Sequence, residues 1–341
     1  MRSQRLDAAH MVAGMPLSIT LGLGGETPLP IVSALVLARN GNAITLSRQL
    51  YDQGVRSLRS LKSALMATPD RVPTFGVVHP DSMHNLMLRY WLAAGGIDPD
   101  RDVNLTVIAP PQMVANLKAG NIDGYCVGEP WNSRAVQEHL GFVVATDLDI
   151  WPSHPEKILG LREDWIQQHP QTHLALVRAL LEACEYCDDR RHRPEILGLL
   201  AQPQYVGVDA RYLAPGLLDP YDTGIGEPIQ MLRFNQFYVD HSTCPGRAEG
   251  LWILTQLARW GMTPFPKNWV EILERNRRVD LYGEAARQLG LPDAEPDRDP
   301  FQLFDGVVFD PNDPIGYLQS LPLNRPIQVA EIILDPLTPA A

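Results

Sequence analysis

Between residues 74 and 145, short β-rich runs alternate with helical stretches, and this alternation constrains the fold more than any other feature of the chain. Thr74–Val78 and Val103–Ile108 are rich in Val, Ile, Thr and Phe, which suit a pleated surface. Ser82–Ala94 lies between them with helical spacing. After the second run, Pro110-Pro111-Gln112 opens an amphipathic stretch, Met113–Ala119, that Gly120 closes. Ile122–Val127, another helical stretch and Gly141–Ala145 follow. Strand–helix–strand–helix–strand order requires crossover connections, so a parallel sheet of the α/β class is expected.

Residues 4–20 and 118–138 echo one another. Each reads as a short buried strand, a polar turn and a helix starting just after a proline, Pro16 in one and Pro130 in the other. Proline suits a helix start because the N–H it lacks would be unsatisfied there. Two copies of one unit predict two similar α/β lobes, and 341 residues is enough for about two domains. The expected division is lobe one in 1–45, lobe two in 46–146, and a return to lobe one in 147–341. From Trp151 onward helical spacing dominates, near 171–187, 193–201, 248–260, 267–277 and 280–289, with Gly261 and Gly290 where helix caps belong. Residues 291–341 read as loop-rich. The 30 prolines, spread through the chain, indicate many short, stiff connections.

The charge excludes one function class. With 29 Lys+Arg against 40 Asp+Glu the formal net charge is −11, which disfavours a nucleic-acid-binding surface. It leaves room for one enclosed small anion, because net charge does not describe a local site. No apolar run approaches the roughly 18 residues of a membrane-spanning helix. The basic start and the apolar Met11–Leu23 resemble an export signal, but Asp7, His10 and Pro16 interrupt that pattern, so folded structure without an export signal is expected. Such a chain would sit in the cytoplasm or on the cytoplasmic face of the membrane.

Four cysteines are too few for a disulfide framework. Cys184 and Cys187 form a C-x-x-C, yet Leu174, Val177, Leu181 and Cys184 share one helical face, so packing is expected there rather than zinc or redox chemistry. There is no phosphate-cradling G-x-x-x-x-G-K-[ST], no H-E-x-x-H and no G-x-S-x-G. Asp310-Pro311-Asn312-Asp313 lacks the Gly and distal Glu of a calcium loop. No enzyme, cofactor or metal is expected.

Five polar strings stand where strands meet loops or helices, the positions at which α/β sheets bind ligands. They are Ala8–Met11, Asn40–Ala43, His79–Ser82, Gly128–Asn132 and Trp151–Lys157. Taken singly, each suits a turn or a helix cap. Taken together, they suggest a cleft lined by both lobes.

Longer strings carry a resemblance. Leu88–Asp100 (LRYWLAAGGIDPD), Pro110–Gly124 (PPQMVANLKAGNIDG), Val127–Asn132 (VGEPWN), His154–Lys157, Leu181–Asp189 and Ala258–Gly261 resemble the nitrate/bicarbonate-binding proteins of ABC importers. The resemblance covers nearly the whole chain. It implies a two-lobed periplasmic-binding-protein fold (type II) that binds a small oxyanion, nitrate above all, between its lobes for delivery to an ABC permease and ATPase. The same domain also occurs fused behind an ATPase and in cytoplasmic nitrate sensors, so a sensor that regulates a protein partner is the alternative. Relatives usually carry about 60 further residues before the string matching Arg5–His10. Lobe one is therefore expected to lack its first strand and helix, with the compartment depending on what precedes Met1.

Carried over position by position, the resemblance points to Asn40, to His79, Asp81 and Ser82, to Gly128 and Glu129, and to His154, Glu156 and Lys157. Trp131 either walls the cleft or packs between the lobes. Lys157 would be the point charge facing the anion. Glu156 bears on the choice of ligand, because bicarbonate has an O–H that needs an acceptor and nitrate has no donor at all. Hinges are expected near Asn40–Thr45 and Phe142–Asp147.

Overall fold

The computed structural model describes residues 1–3, 5–292, 300–323 and 325–334. The chain divides into two units that it enters alternately. Unit 1 is Met1–Arg39, His154–Asp188 and Phe237–Ala341; unit 2 is Asn40–Ser153 with Asp189–Gln236. The first two boundaries fall a few residues from those drawn on the sequence, and 189–236 lies in unit 2 rather than with the first lobe. The strands longer than two residues are β1 (Ala8–Val12), β2 (Ile31–Asn40), β3 (Asn42–Ser47), β4 (Thr74–Val77), β5 (Asn104–Val107), β6 (Gly124–Gly128), β7 (Gly141–Thr146) and β8 (Pro155–Arg162).

In unit 1, β8 runs between β1 and β2 and is antiparallel to both. The expected strand–turn–helix near the N-terminus is β1 followed by the helix Met15–Leu21, with Pro16 in its first turn. Met11, Ala13 and Leu17 are core residues, so the signal-like stretch is folded interior. β2 and β8 had no counterpart in the sequence reading, and Pro155–Arg162 interrupts the region read as helical. Ile31–Val36 and Ile158–Leu161 are buried throughout. A strand covered on both faces is a continuous apolar run, without the alternation that would announce it.

The helix Pro170–Asp188 lays Leu174, Val177, Leu181 and Cys184 against Val32, Leu35, Leu159 and Leu161, the face its spacing predicted. Each such side chain contributes on the order of 1.5–3 kcal/mol when fully buried. The Cys184 thiol donates to the Leu37 carbonyl at 3.7 Å, and burial pushes its pKa up to about 12. It is a packing group, far from the thiolate state that metal or redox chemistry requires. The remaining predicted helices appear as Arg193–Leu200, Arg247–Arg259, Trp269–Asn276 and Val279–Gln288. Of the loop-rich tail, residues 293–299, 324 and 335–341 lie outside the described residues.

Unit 2 holds a five-stranded sheet in the order β5-β4-β6-β3-β7. β4, β5 and β6 are parallel, as the alternation predicted, but β3 is antiparallel to both β6 and β7. The sheet is therefore mixed, not purely parallel. The physical reason is the point of entry: the chain turns through Asn40 (φ 59°) and Gly41 (φ 88°), both left-handed, and β3 starts at the end of the sheet where β6 and β7 finish. The first expected hinge coincides with a unit boundary at Asn40. The second does not, because Phe142, Val143 and Ala145 are paired with Leu46, Thr45 and Ile44 inside the sheet. Among the described residues no helix is long and apolar enough to cross a membrane.

Candidate functional site

Strand register gathers one polar set at a single end of the unit 2 sheet. Asn42 pairs with Gly128 and Ala43 with Thr146, so the start of β3 lies beside the ends of β6 and β7. β4 runs parallel to β6, which brings the loop after it, His79–Ser82, to the same end. This is the carboxyl end of the parallel strands, where α/β sheets place ligands.

Asn40 is 3% exposed, and its Nδ2 donates to the Arg233 carbonyl at 3.1 Å. That bond fixes the amide orientation and leaves Oδ1 buried without a donor. The Asn42 N–H donates to Asp147 Oδ2 at 2.7 Å, and the Glu129 N–H donates to the Gly41 carbonyl at 3.0 Å. Gly128 closes β6 against Asn42; a Cβ there would stand 3.3 Å from Asn42 Oδ1.

The His79–Ser82 loop is locked by its own bonds. Ser82 Oγ caps the helix Met83–Ala94 by accepting from the Asn85 N–H at 3.3 Å, and it donates to the His79 carbonyl at 2.7 Å. Asn85 Nδ2 donates to the Pro80 carbonyl at 2.5 Å. His79 Nδ1 bonds the buried Asp81 carboxylate, and this bond raises the imidazole pKa while partial burial opposes it. When protonated, the half-buried imidazole held by this carboxylate keeps its other N–H directed away from that partner, a donor of the charge-assisted class.

Glu129 and Trp131 work inside unit 2. Burial raises the Glu129 pKa, and the bonds it accepts, from Tyr221 Oη at 2.5 Å and the Ser133 N–H at 3.1 Å, oppose that rise. Both carboxylate oxygens are thereby occupied. Trp131 packs among Met113, Leu117, Tyr125 and Val127, and its carbonyl accepts from Tyr125 Oη at 2.9 Å. It is a core residue of unit 2, because the first turn of its helix folds back onto the helix Pro110–Lys118.

Unit 1 holds the second polar set at the start of β8. The string His154–Lys157, read as a loop, continues directly into that strand. His154 is fully buried, and its Nδ1–H donates to the Pro155 carbonyl at 3.1 Å. Glu156 is 2% exposed and forms an ion pair with Lys157, whose side chain is 28% exposed. Lys157 stands in register with Val12 on β1 and Ala38 on β2. His10, on β1, shares this surrounding. Burial lowers its pKa, Lys157 lowers it further and Glu156 opposes them.

The sequence reading missed the hydrogen-bond partners of several of these residues. His10 lay in one of its polar strings but was not carried forward. Tyr221, Ser133 and Arg233 gave no signal, because Tyr221 and Arg233 meet their partners across long stretches of chain. Among the described residues no group of three or more His, Cys, Asp or Glu is placed to hold a metal ion.

The class follows from the fold. The chain matches the crystal structure of the periplasmic nitrate-binding protein NrtA from Synechocystis with a TM-score of 0.89 and 32% identity, over 94% of this chain and 85% of that one. This is the periplasmic-binding-protein fold. More particularly, the NMT1-like family pattern matches residues 1–201, and the chain belongs to that family. It is 64% identical to the nitrate import ATP-binding protein NrtC and 53% identical to the bicarbonate transport ATP-binding protein CmpC, both of Synechocystis. Each match covers 98% of this chain and 50% of the relative, so the chain spans about half the length of these curated relatives.

Proposed function

We propose that the chain binds a small oxyanion, nitrate above all, without catalysing a reaction on it, as a component of an ABC-type import system. The observation that carries this reading is the likeness to a nitrate-binding protein over nearly the whole chain, at 32% identity. Nitrate is a planar monoanion with three acceptor oxygens, so it needs N–H donors and one or two cations. Within unit 1, Lys157 supplies the cation, and within unit 2, Asp81 favours the charged form of His79. The permease and ATPase partners rest on the names of the relatives.

Isothermal calorimetry with nitrate tests the reading. Lys157→Ala should weaken binding by roughly one to two orders of magnitude, the range for a lost charge-assisted contact of about 1.5–3 kcal/mol. Unchanged affinity in a folded variant removes Lys157 from the site.

Bicarbonate is the second reading, favoured by two acceptors. Asn40 Oδ1 is buried without a donor, and Glu156 places a carboxylate beside Lys157. Glu156→Gln should weaken bicarbonate binding and leave nitrate binding intact or stronger. Equal effects on both anions refute a role for Glu156 in discrimination.

A further inference from the structure

The opposite end of the unit 2 sheet carries a basic cavity that oxyanion binding does not use. We propose that it is a second anion site, which takes a small organic or inorganic anion bearing at least two negative charges. The cavity measures about 250 Å³ and lies where β3 ends and β6 and β7 begin, at Ser47, Asp123 and Leu140. Ser47 pairs with Gly141 and Leu46 with Gly124, the far side of the register from Asn42 and Gly128.

Four basic side chains from four separate segments line it. Arg48 opens the short helix after β3, and Arg71 precedes β4. Lys118 ends the helix Pro110–Lys118, and His139 lies in the turn before β7 with φ 55°. One carboxylate, Asp123, faces them, and it is already engaged: it accepts from Arg71 at 2.6 Å and from the Thr74 N–H at 2.9 Å. Arg48 rests 3.9 Å from the centre of the Tyr51 ring and reaches the exposed Asp52 only at 3.4 Å. Neither Lys118 nor His139 has a side-chain hydrogen bond among the described residues.

The chain as a whole carries a formal charge of −11, so converging cations are against its trend. Within the lining, Arg48, Arg71 and Lys118 exceed Asp123 by two charges, with an imidazole besides, while Asp52 and Glu138 act on Arg48 and Lys118 from outside it. A dianion gains more from such a lining than a monoanion, because Coulomb attraction scales with the product of the charges. The size of the cavity suits a molecule the size of pyrophosphate or a dicarboxylate.

The test is calorimetry on the whole chain at constant ionic strength, with pyrophosphate in one arm and succinate in the other. Saturable one-to-one binding of either probe at millimolar concentration or tighter is expected, unaffected by saturating nitrate. The arm that binds tells phosphate from carboxylate chemistry. Arg48→Gln with Lys118→Gln should weaken that binding about tenfold or more, for the loss of two charge contacts, and leave nitrate binding unchanged. Arg191→Gln with Arg211→Gln removes the same charge from elsewhere on unit 2 and should not alter it. The proposal is overturned if neither probe binds, if nitrate displaces the probe, or if the cavity variant binds as tightly as the parent.

Discussion

Replacing Tyr221 by Phe isolates one bond. Tyr221 is fully buried, and its ring meets Phe234 edge-on, with centroids 4.8 Å apart, within a cluster that includes Ala43, Val136 and Val143. Tyr221→Phe keeps that packing and deletes the hydroxyl that donates to Glu129 Oε1 at 2.5 Å. A hydrogen bond to a charged group contributes about 1.5–3 kcal/mol, and the bond from the Ser133 N–H remains, so a loss of about 2 kcal/mol is expected where Glu129 is ionised. The pH dependence gives the sharper reading. Burial holds the Glu129 pKa above its ordinary value, so its contribution to stability is present below the unfolded pKa and is lost as pH rises through the folded one. The Tyr221 bond opposes that rise by stabilising the ionised form. Its deletion should therefore cost most at about pH 8 and progressively less toward about pH 4.5, where the carboxyl is increasingly protonated. Urea unfolding at both pH values measures this, with an unchanged slope m as the control for an intact native state. A cost that is the same at both, or absent at pH 8, refutes the reasoning.

His173 is fully buried with neither ring nitrogen bonded, and burial, aided by Arg278, lowers its pKa to about 4. The unfolded chain takes up that proton first, so stability should fall between about pH 6.5 and pH 4, by at most about 3 kcal/mol; His173→Leu should flatten this stretch of the acid profile, and an identical profile counts against it. Arg39 and Glu249 form a buried ion pair, with further Arg39 bonds to the Ser242 and Cys244 carbonyls at 2.6 and 3.1 Å. Glu249→Ala should cost about 3–5 kcal/mol, and Arg39→Met with Glu249→Leu should cost less than that single change; additive losses in urea titrations would show that the pair is not coupled. Asn40→Ala loses the bond to Arg233 and strains a left-handed backbone, for about 2 kcal/mol together, while Asn40→Gly recovers the backbone share. Equal melting temperatures for the two variants would remove the strain argument.

Much of the architecture was legible where the chemistry is local. Pro16 and Pro130 marked helix starts, and the 3.6-residue spacing of Leu174, Val177, Leu181 and Cys184 marked a packed face. β2 and β8 were illegible because burial on both faces erases the period of two. The candidate site divides along the same line. His79 through Ser82 could be found as a string because the loop is held by its own bonds. The surroundings of Glu129 and Trp131 were not legible, because they depend on Tyr221 and on the core beneath Trp131.

By itself the sequence determined the α/β class, the strand–helix alternation of unit 2, the acidic balance that argues against a polyanion surface, and the strings that tie the chain to its family. Those properties depend on spacing, composition and order, which survive without a third dimension. Only the tertiary structure decided that β3 runs against β6 and β7, that Lys157 shares its charge with a buried Glu156, and that Glu129 is consumed by Tyr221. These are encounters between segments far apart in the chain, or orientations of neighbours along a strand. The linear pattern fixes neither, because each depends on which surfaces the core has already buried.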